Sequence, residues 1–296
     1  MPRLRLPDYL KRPIATLDNE QNKQVREILK RYNLNTVCDG ARCPNKCECY
    51  SNLTATFLIM GKTCTRNCAF CNIEQQNPGA LDEDEPKNVA LAIKALNLKY
   101  CVITSVTRDD LDDYGANHFC RTIFQIRKLS PETKIEILTP DFCCSYEALH
   151  MILKYKPDVF NHNIETVRSL YPKARQMADY DISLAVLSYI KNNNPDIITK
   201  TGLMVGLGED ENELYETFCD INKAGVDIVT LGQYIAPSKK HLEVKKYYTT
   251  DEINKLKNLA KSVGIKYPIF APLARSSYKA SQTYEQIMAL KHTNNF

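Results

Sequence analysis

Three cysteines fall within eight residues, Cys64-Thr-Arg-Asn-Cys68-Ala-Phe-Cys71, directly after an apolar run from Thr54 to Met60 and one glycine, Gly61. The run reads as a buried strand and the cysteines as the loop leaving its carboxyl end. In parallel α/β folds ligands collect at the carboxyl ends of strands, so three soft ligands at this point place a metal centre over the first strand. The segment supplies no fourth cysteine or histidine. A structural zinc site closes with four ligands, whereas three thiolates on a [4Fe-4S] cube leave one iron free to bind another molecule.

The pattern that follows is repetitive. Strand-like runs at 99–105, 134–138, 159–163, 182–186, 201–205, 226–231 and 266–270 alternate with amphipathic stretches at 88–96, 118–128, 146–155, 211–224 and 251–263. Repeated βα units imply a parallel sheet with outer helices. Periodicity alone leaves open a partial barrel, a complete eight-strand barrel and an open doubly wound sheet. The 296 residues are enough to bury a large core in one such domain. The expected organisation is an N-terminal extension over 1–53, an α/β domain over 54–270 and a C-terminal segment over 271–296.

A second cysteine set lies upstream, Cys38-Asp-Gly-Ala-Arg-Cys43-Pro-Asn-Lys-Cys47-Glu-Cys49. Cys38, Cys43 and Cys49 make another three-ligand site, and adding Cys47 would make an all-cysteine one. Cys101, Cys120, Cys143, Cys144 and Cys219 fit no ligand spacing and read as buried or incidental thiols. The first residues hold no continuous apolar stretch, so the twelve cysteines are expected in a reducing compartment, the cytoplasm, and not in a secreted disulfide scaffold. The longest apolar runs are far below the ~20 residues of a spanning helix, and no membrane segment is expected. A net charge of +4 without a dense basic block argues against nucleic acid. Lys239-Lys240 and Lys245-Lys246 suit either an acidic protein partner or a solvated loop.

The CxxxCxxC spacing resembles the cluster motif of the radical S-adenosylmethionine enzymes. Joined to the upstream CxxxxCxxxxxC and to Arg275-Ser276-Ser277-Tyr278, it makes the chain similar to the lipoyl synthases over nearly its whole length, from Leu6-Pro-Asp-Tyr-Leu-Lys11 onward. The resemblance implies a partial (β/α)6 barrel whose extensions carry an auxiliary cluster. It implies two [4Fe-4S] clusters, one on Cys64, Cys68 and Cys71 that binds S-adenosylmethionine, the other on Cys38, Cys43, Cys49 and a serine oxygen. Ser277 is the expected serine and Ser276 the fallback, with Arg275 steadying the segment. A hard oxygen ligand leaves iron more readily than thiolate, as surrender of a bridging sulfide would require. The implied reaction consumes two molecules of S-adenosylmethionine per lipoyl group. Each is cleaved to a 5'-deoxyadenosyl radical, and sulfur enters at carbons 6 and 8 of an octanoyl chain on a carrier-domain lysine. Implied partners are that carrier (glycine-cleavage H protein or a 2-oxoacid dehydrogenase E2), an electron donor such as flavodoxin or ferredoxin, and an iron-sulfur carrier for cluster repair. The chain departs from the family at Lys46-Cys47, where an Ile-Gly pair is usual, and has Tyr50-Ser51 in place of Trp-Ser.

Further matches suggest residues around S-adenosylmethionine. Phe70 stands at an aromatic position flanking the adenine. Gly202-Leu-Met204-Val-Gly206-Leu-Gly208-Glu209 resembles the GxIxGxxE strand, although a plain glycine turn explains Gly206 equally well. Thr104, Ser105, Arg108 and Asp109 end the second strand-like run, with a helix N-cap as the competing role for Asp109 or Asp110. Asn161, Asn163 and Glu165 end another, where His162 is as readily a satisfied core residue. Lys200, Gln233 and His241 lie in further matching stretches. A biotin-synthase-like enzyme, a two-cluster electron carrier and a zinc adaptor are the competing readings, and cleavage to 5'-deoxyadenosine separates the enzymes from the last two.

Overall fold

The computed structural model describes residues 4–11, 19–41, 43–52 and 55–293, the last three by their backbone. Thr54, at the head of the expected first strand, lies outside the described residues, as do Leu53 beside it and Met1 to Arg3. In chain order the elements are α1 (Glu20–Arg31), β1 (Asn35–Thr36), α2 (Val37–Gly40), α3 (Lys46–Ser51), β2 (Thr56–Ile59), β3 (Thr63–Cys64), β4 (Glu74–Gln75), α4 (Glu85–Ala95), β5 (Tyr100–Ser105), α5 (Ala116–Leu129) and β6 (Lys134–Leu138). There follow α6 (Tyr146–Tyr155), β7 (Val159–Asn161), α7 (Tyr171–Ala174), α8 (Tyr180–Asn193), β8 (Ile198–Val205), α9 (Glu211–Lys223), β9 (Ile228–Gln233), α10 (Thr250–Ser262), β10 (Tyr267–Phe270) and α11 (Ala280–Thr293).

The main sheet runs β1-β2-β5-β6-β7-β8-β9-β10, with β1 antiparallel to β2 and every other pair parallel. Strand alternation sorts the two faces. Phe57, Cys101, Ile103, Ile135, Ile137, Phe160, Val205, Val229 and Leu231 pack outward into cores shared with α1, α4, α5, α6, α8, α9 and α10. Tyr100, Val102, Val159, Ile198 and Ile228 point the other way and meet Ala280, Tyr284 and Ile287 of α11. All crossover helices therefore share one face, the arrangement of a barrel and not of a doubly wound sheet. β2, β5, β6, β7, β8 and β9 supply the six parallel strands of a partial (β/α)6 barrel, β10 adds a seventh, and among the described residues no pairing joins β10 to β1 or β2.

Helix starts are written locally. Asn19, Ser145 and Asp179 cap α1, α6 and α8 through their side chains, and Asp210 with Glu213 and Thr249 with Glu252 form capping boxes on α9 and α10. The strand expected over 182–186 is absent, and those residues lie inside α8. Asp179 accepts from the Ile182 N–H, and Tyr180, Ser183, Val186, Leu187 and Ile190 are buried at helical spacing. A short β-branched run satisfied both periods, and the cap decides between them.

Candidate active site

The cysteine loop leaves β2 through Met60 and Gly61 and lies across the strand ends. Cys64 Sγ accepts N–H groups from Arg66 at 3.4 Å and Thr107 at 3.2 Å, and Cys71 Sγ accepts one from Ile73 at 3.4 Å. The loop backbone is tied on both sides: Ala69 N–H donates to Ala174 O, Leu242 N–H donates to Ala69 O, and His241 Nε2 lies 3.0 Å from Cys71 O. Arg66, between the first two cysteines, is buried in a double fork. It donates to Asp109 at 2.8 Å twice, and to Asp141 at 2.6 and 2.7 Å. Burial alone would raise the Asp141 carboxyl, but the Arg66 bonds and charge hold it down at about 2. Asp109 thus braces the loop, and Gly115 rather than an aspartate precedes α5 at its N-cap.

The upstream cysteines sit beside this loop. Asn72 Nδ2 donates to Gly40 O at 2.7 Å, joining the residue after Cys71 to the turn after Cys38. Asp39 gathers Thr36, Tyr50 and Lys46 at 2.7–2.9 Å and so fixes α2 against α3. Cys38 is buried, and Cys43, Cys49 and Cys64 pack against the same core. Cys47 and Cys49 are two residues apart on α3, about 200° around the helix, so they face opposite ways. Cys49 packs against the core that also takes Cys38, Cys43 and Cys64.

The C-terminal segment packs against β8 and β9. A Cβ on Gly232 would lie 2.1 Å from Ala274 O, and one on Gly202 would lie 2.7 Å from Ser276 Oγ. Ser276 Oγ donates to Asn163 Oδ1 at 2.9 Å. The same segment is stitched to the upstream one, Asn45 Nδ2 donating to Leu273 O at 2.8 Å and Tyr278 OH to Glu48 Oε1 at 2.9 Å. Arg275 carries its charge between Cys43 and Glu165.

Other expected residues divide into those open toward the mouth and those engaged elsewhere. Asn163 Nδ2 donates to Glu165, whose φ is 70° and whose carboxyl burial pushes up against the opposing pull of Arg175, Asn163 and Arg275. Phe70 and Met204 pack together with Leu207, Tyr234 and Val244. Thr104 donates to Leu138 O, and Arg108 forks onto Asp110. Lys200 Nζ and Asn161 Nδ2 both bond Glu136, which also accepts from Tyr100 OH. Gln233 is spent on backbone groups of Val205, Tyr234, Lys246 and Tyr248. Gly206, at φ 99°, has no room for a Cβ, since Gln233 Nε2 would be 2.3 Å away. Arg175 was not expected: it is buried, donates to Asn163 O, Tyr171 OH and Ser183, and sits beside Cys68 and Glu165. Arg66 and Asp141 were missed for the same reason, since their pairing joins positions far apart in sequence.

The donor set suits iron-sulfur clusters and a polar ligand. Burial pushes the Cys71 thiol up to about 12 and that of Cys38 to about 11, and neighbouring thiols add to the shift, so thiolates here need a cationic centre to hold them. Among the described residues no three His, Cys, Asp or Glu side chains close on a single ion. A cube, which gives each thiolate its own iron, spreads them more widely. Ser105 Oγ, Arg108 Nη1, Asn161 Oδ1, His162 Nε2 and Arg175 Nε are buried without a protein partner among the described residues. They cluster at the ends of β5 and β7 and beside the Cys68 thiol, and each would cost about 1–3 kcal/mol left unsatisfied.

Residues 58–221 match the family model described as the Radical SAM superfamily. A lipoyl synthase of Caldicellulosiruptor saccharolyticus is 47% identical over 277 residues, covering 94% of this chain and 96% of that protein. Among solved structures, the FeFe-hydrogenase maturase HydG from Carboxydothermus hydrogenoformans gives a TM-score of 0.59 at 11% identity, covering 90% of this chain and 70% of that one. Streptococcus suis SuiB bound to S-adenosylmethionine gives 0.57 at 12% identity over 77% of this chain, which spans about half of that protein (54%).

Proposed function

The chain belongs to the lipoyl synthase family of radical S-adenosylmethionine enzymes, and from that premise we propose how its own residues divide the work. The enzyme is a sulfurtransferase that inserts sulfur at carbons 6 and 8 of a carrier-bound octanoyl group, using two [4Fe-4S] clusters and S-adenosylmethionine. When bound, one cluster with S-adenosylmethionine supplies a hydrogen-abstracting radical and the other supplies sulfur.

Cys64, Cys68 and Cys71 hold the first cluster. Phe70 and Met204 flank the adenine, while Ser105, Asn161, Asn163, Glu165 and Arg175 take the polar parts of S-adenosylmethionine. Thr104, Arg108, Asp109, Lys200, Gly206 and Gln233 shape that pocket from behind, through the bonds described above. Cys38, Cys43, Cys49 and Ser277 hold the second cluster. Arg275 places a half-buried cation beside Cys43, offsetting thiolate charge. The acyl chain enters between the two cysteine segments, where exclusion of water on binding would protect a reactive carbon.

The observation that carries this assignment is the docking of Ala274–Ser276 against Gly232 and Gly202, with the same segment bonded to the upstream cysteine turn. The carrier is a glycine-cleavage H protein or an E2 lipoyl domain, electrons come from flavodoxin or ferredoxin, and an iron-sulfur carrier rebuilds the second cluster. Among the described residues no helix is long and apolar enough to cross a membrane, and the proposed compartment is the cytoplasm. Ser277→Ala is expected to lose half of the iron and all lipoyl formation while still producing 5'-deoxyadenosine. If Ser276→Ala does this and Ser277→Ala does not, the ligand is Ser276; if neither does, the serine assignment is wrong.

A further inference from the structure

The turn that launches the cysteine loop is held from outside the barrel. Met60 follows Ile59, the last residue of β2 paired with β5, and its φ of 67° lies in the left-handed region that penalises L side chains. Beyond the last rung of the ladder its N–H would be buried and unpaired. It donates instead to Glu85 Oε2 at 2.7 Å. The same oxygen lies 2.8 Å from His118 Nε2, and Met60, Glu85 and His118 are all buried. The Met60 side chain rests on Gly115, where an added Cβ would stand 2.5 Å from its sulfur. Glu85 is in the first turn of α4, His118 in the first turn of α5, and Gly115 caps α5. Two outer helices therefore converge on one backbone amide.

We propose that Glu85 is a positioning residue for the first cluster: by accepting the Met60 N–H it holds residue 60 left-handed, which sets the angle at which the Cys64–Cys71 loop crosses the strand ends. His118 orients the carboxylate from behind. A glutamate buried in a helix interface is costly unless it is bonded, and the bonds that Glu85 makes are to the Met60 N–H of this turn and to His118. The proposal rests on the assignment of Cys64, Cys68 and Cys71 to a cluster.

The test uses the reduced holoenzyme under anaerobic conditions. Iron release to a chelator is followed together with the change that S-adenosylmethionine makes in the EPR spectrum, which reports the first cluster alone. Glu85→Ala is expected to release iron from that cluster about tenfold faster, the factor a left-handed residue's conformational cost implies. Adding Met60→Gly, which tolerates positive φ, should bring the rate back toward that of Met60→Gly alone. Glu85→Gln, whose amide oxygen can still take the N–H, should behave like the parent. Met60→Ile, with Glu85 intact, should mimic Glu85→Ala, and it keeps the proposal testable where Glu85→Ala fails to fold. Parental rates in Glu85→Ala or in Met60→Ile overturn the proposal, and so does failure of Met60→Gly to rescue. A parental spectrum that S-adenosylmethionine leaves unchanged overturns the cluster assignment and the proposal with it.

Discussion

Gly232→Ala tests the docking of the C-terminal segment without touching any ligand. Gly232 lies in β9 with its Hα toward the barrel mouth, and an added Cβ would be 2.1 Å from Ala274 O and 3.2 Å from Arg275 Nη1. An ordinary C···O contact is about 3.3 Å, so the carbonyl has to retreat by about 1.2 Å. The obstacle is backbone, so no side-chain rotation relieves it, and the Ala274–Ser277 stretch moves as a unit. Overpacking of this kind costs roughly 1–3 kcal/mol, which the fold tolerates. If this segment bears the proposed ligand, a shift above 1 Å is not tolerated by metal geometry, where distances hold within about 0.2 Å. Reconstituted Gly232→Ala is therefore expected to keep the first cluster, lose half of its iron and form no lipoyl group, while 5'-deoxyadenosine still appears. Full iron content with parental lipoyl formation would refute the idea that this strand seats the second cluster's oxygen ligand.

Arg66→Lys keeps the charge but not the double fork, leaving two carboxylates poorly paired; unfolding of the apo chain should lose on the order of 3 kcal/mol, read from denaturant midpoints. Cys47→Ala should retain full iron and activity, whereas loss of half of the iron would show that Cys47 is a ligand. His162 titrates at about 4 instead of 6.5 because burial disfavours its charged form. Between those values the unfolded chain binds more protons than the folded one, so stability rises with pH across the window and is lost as pH falls through it. The contribution is on the order of 3 kcal/mol at most. His162→Gln should flatten that part of the stability-pH curve measured by urea unfolding, and an unchanged slope would remove His162 as its cause.

What could be read from the sequence was what is local. Cluster spacing lies within a few residues, so Cys64, Cys68 and Cys71 could be singled out before any fold was known, and the βα alternation placed them at a strand end. Residues 182–186 were misread because five residues cannot distinguish a buried strand from one turn of a buried helix. Arg66 with Asp141, and Glu85 with Met60, are pairs separated by 75 and 25 residues, and no periodicity announces them. The left-handed Met60 carries no signal at all, since glycine or asparagine would be the expected residue there. Nor did composition show that α11 turns back to cover the inner face of the sheet at its N-terminal end, where Tyr284 meets Tyr100 at 5.6 Å.

In the proposed reaction both cysteine sites act on one acyl chain. Reconstituted enzyme, S-adenosylmethionine, a strong reductant and an octanoylated carrier domain, mixed without oxygen, put it to a direct test when the carrier's mass is read before and after. The expected result is a gain of two sulfur atoms, with two hydrogens lost in the disulfide form, accompanied by 5'-deoxyadenosine. A carrier of unchanged mass beside abundant 5'-deoxyadenosine from fully loaded enzyme would contradict it.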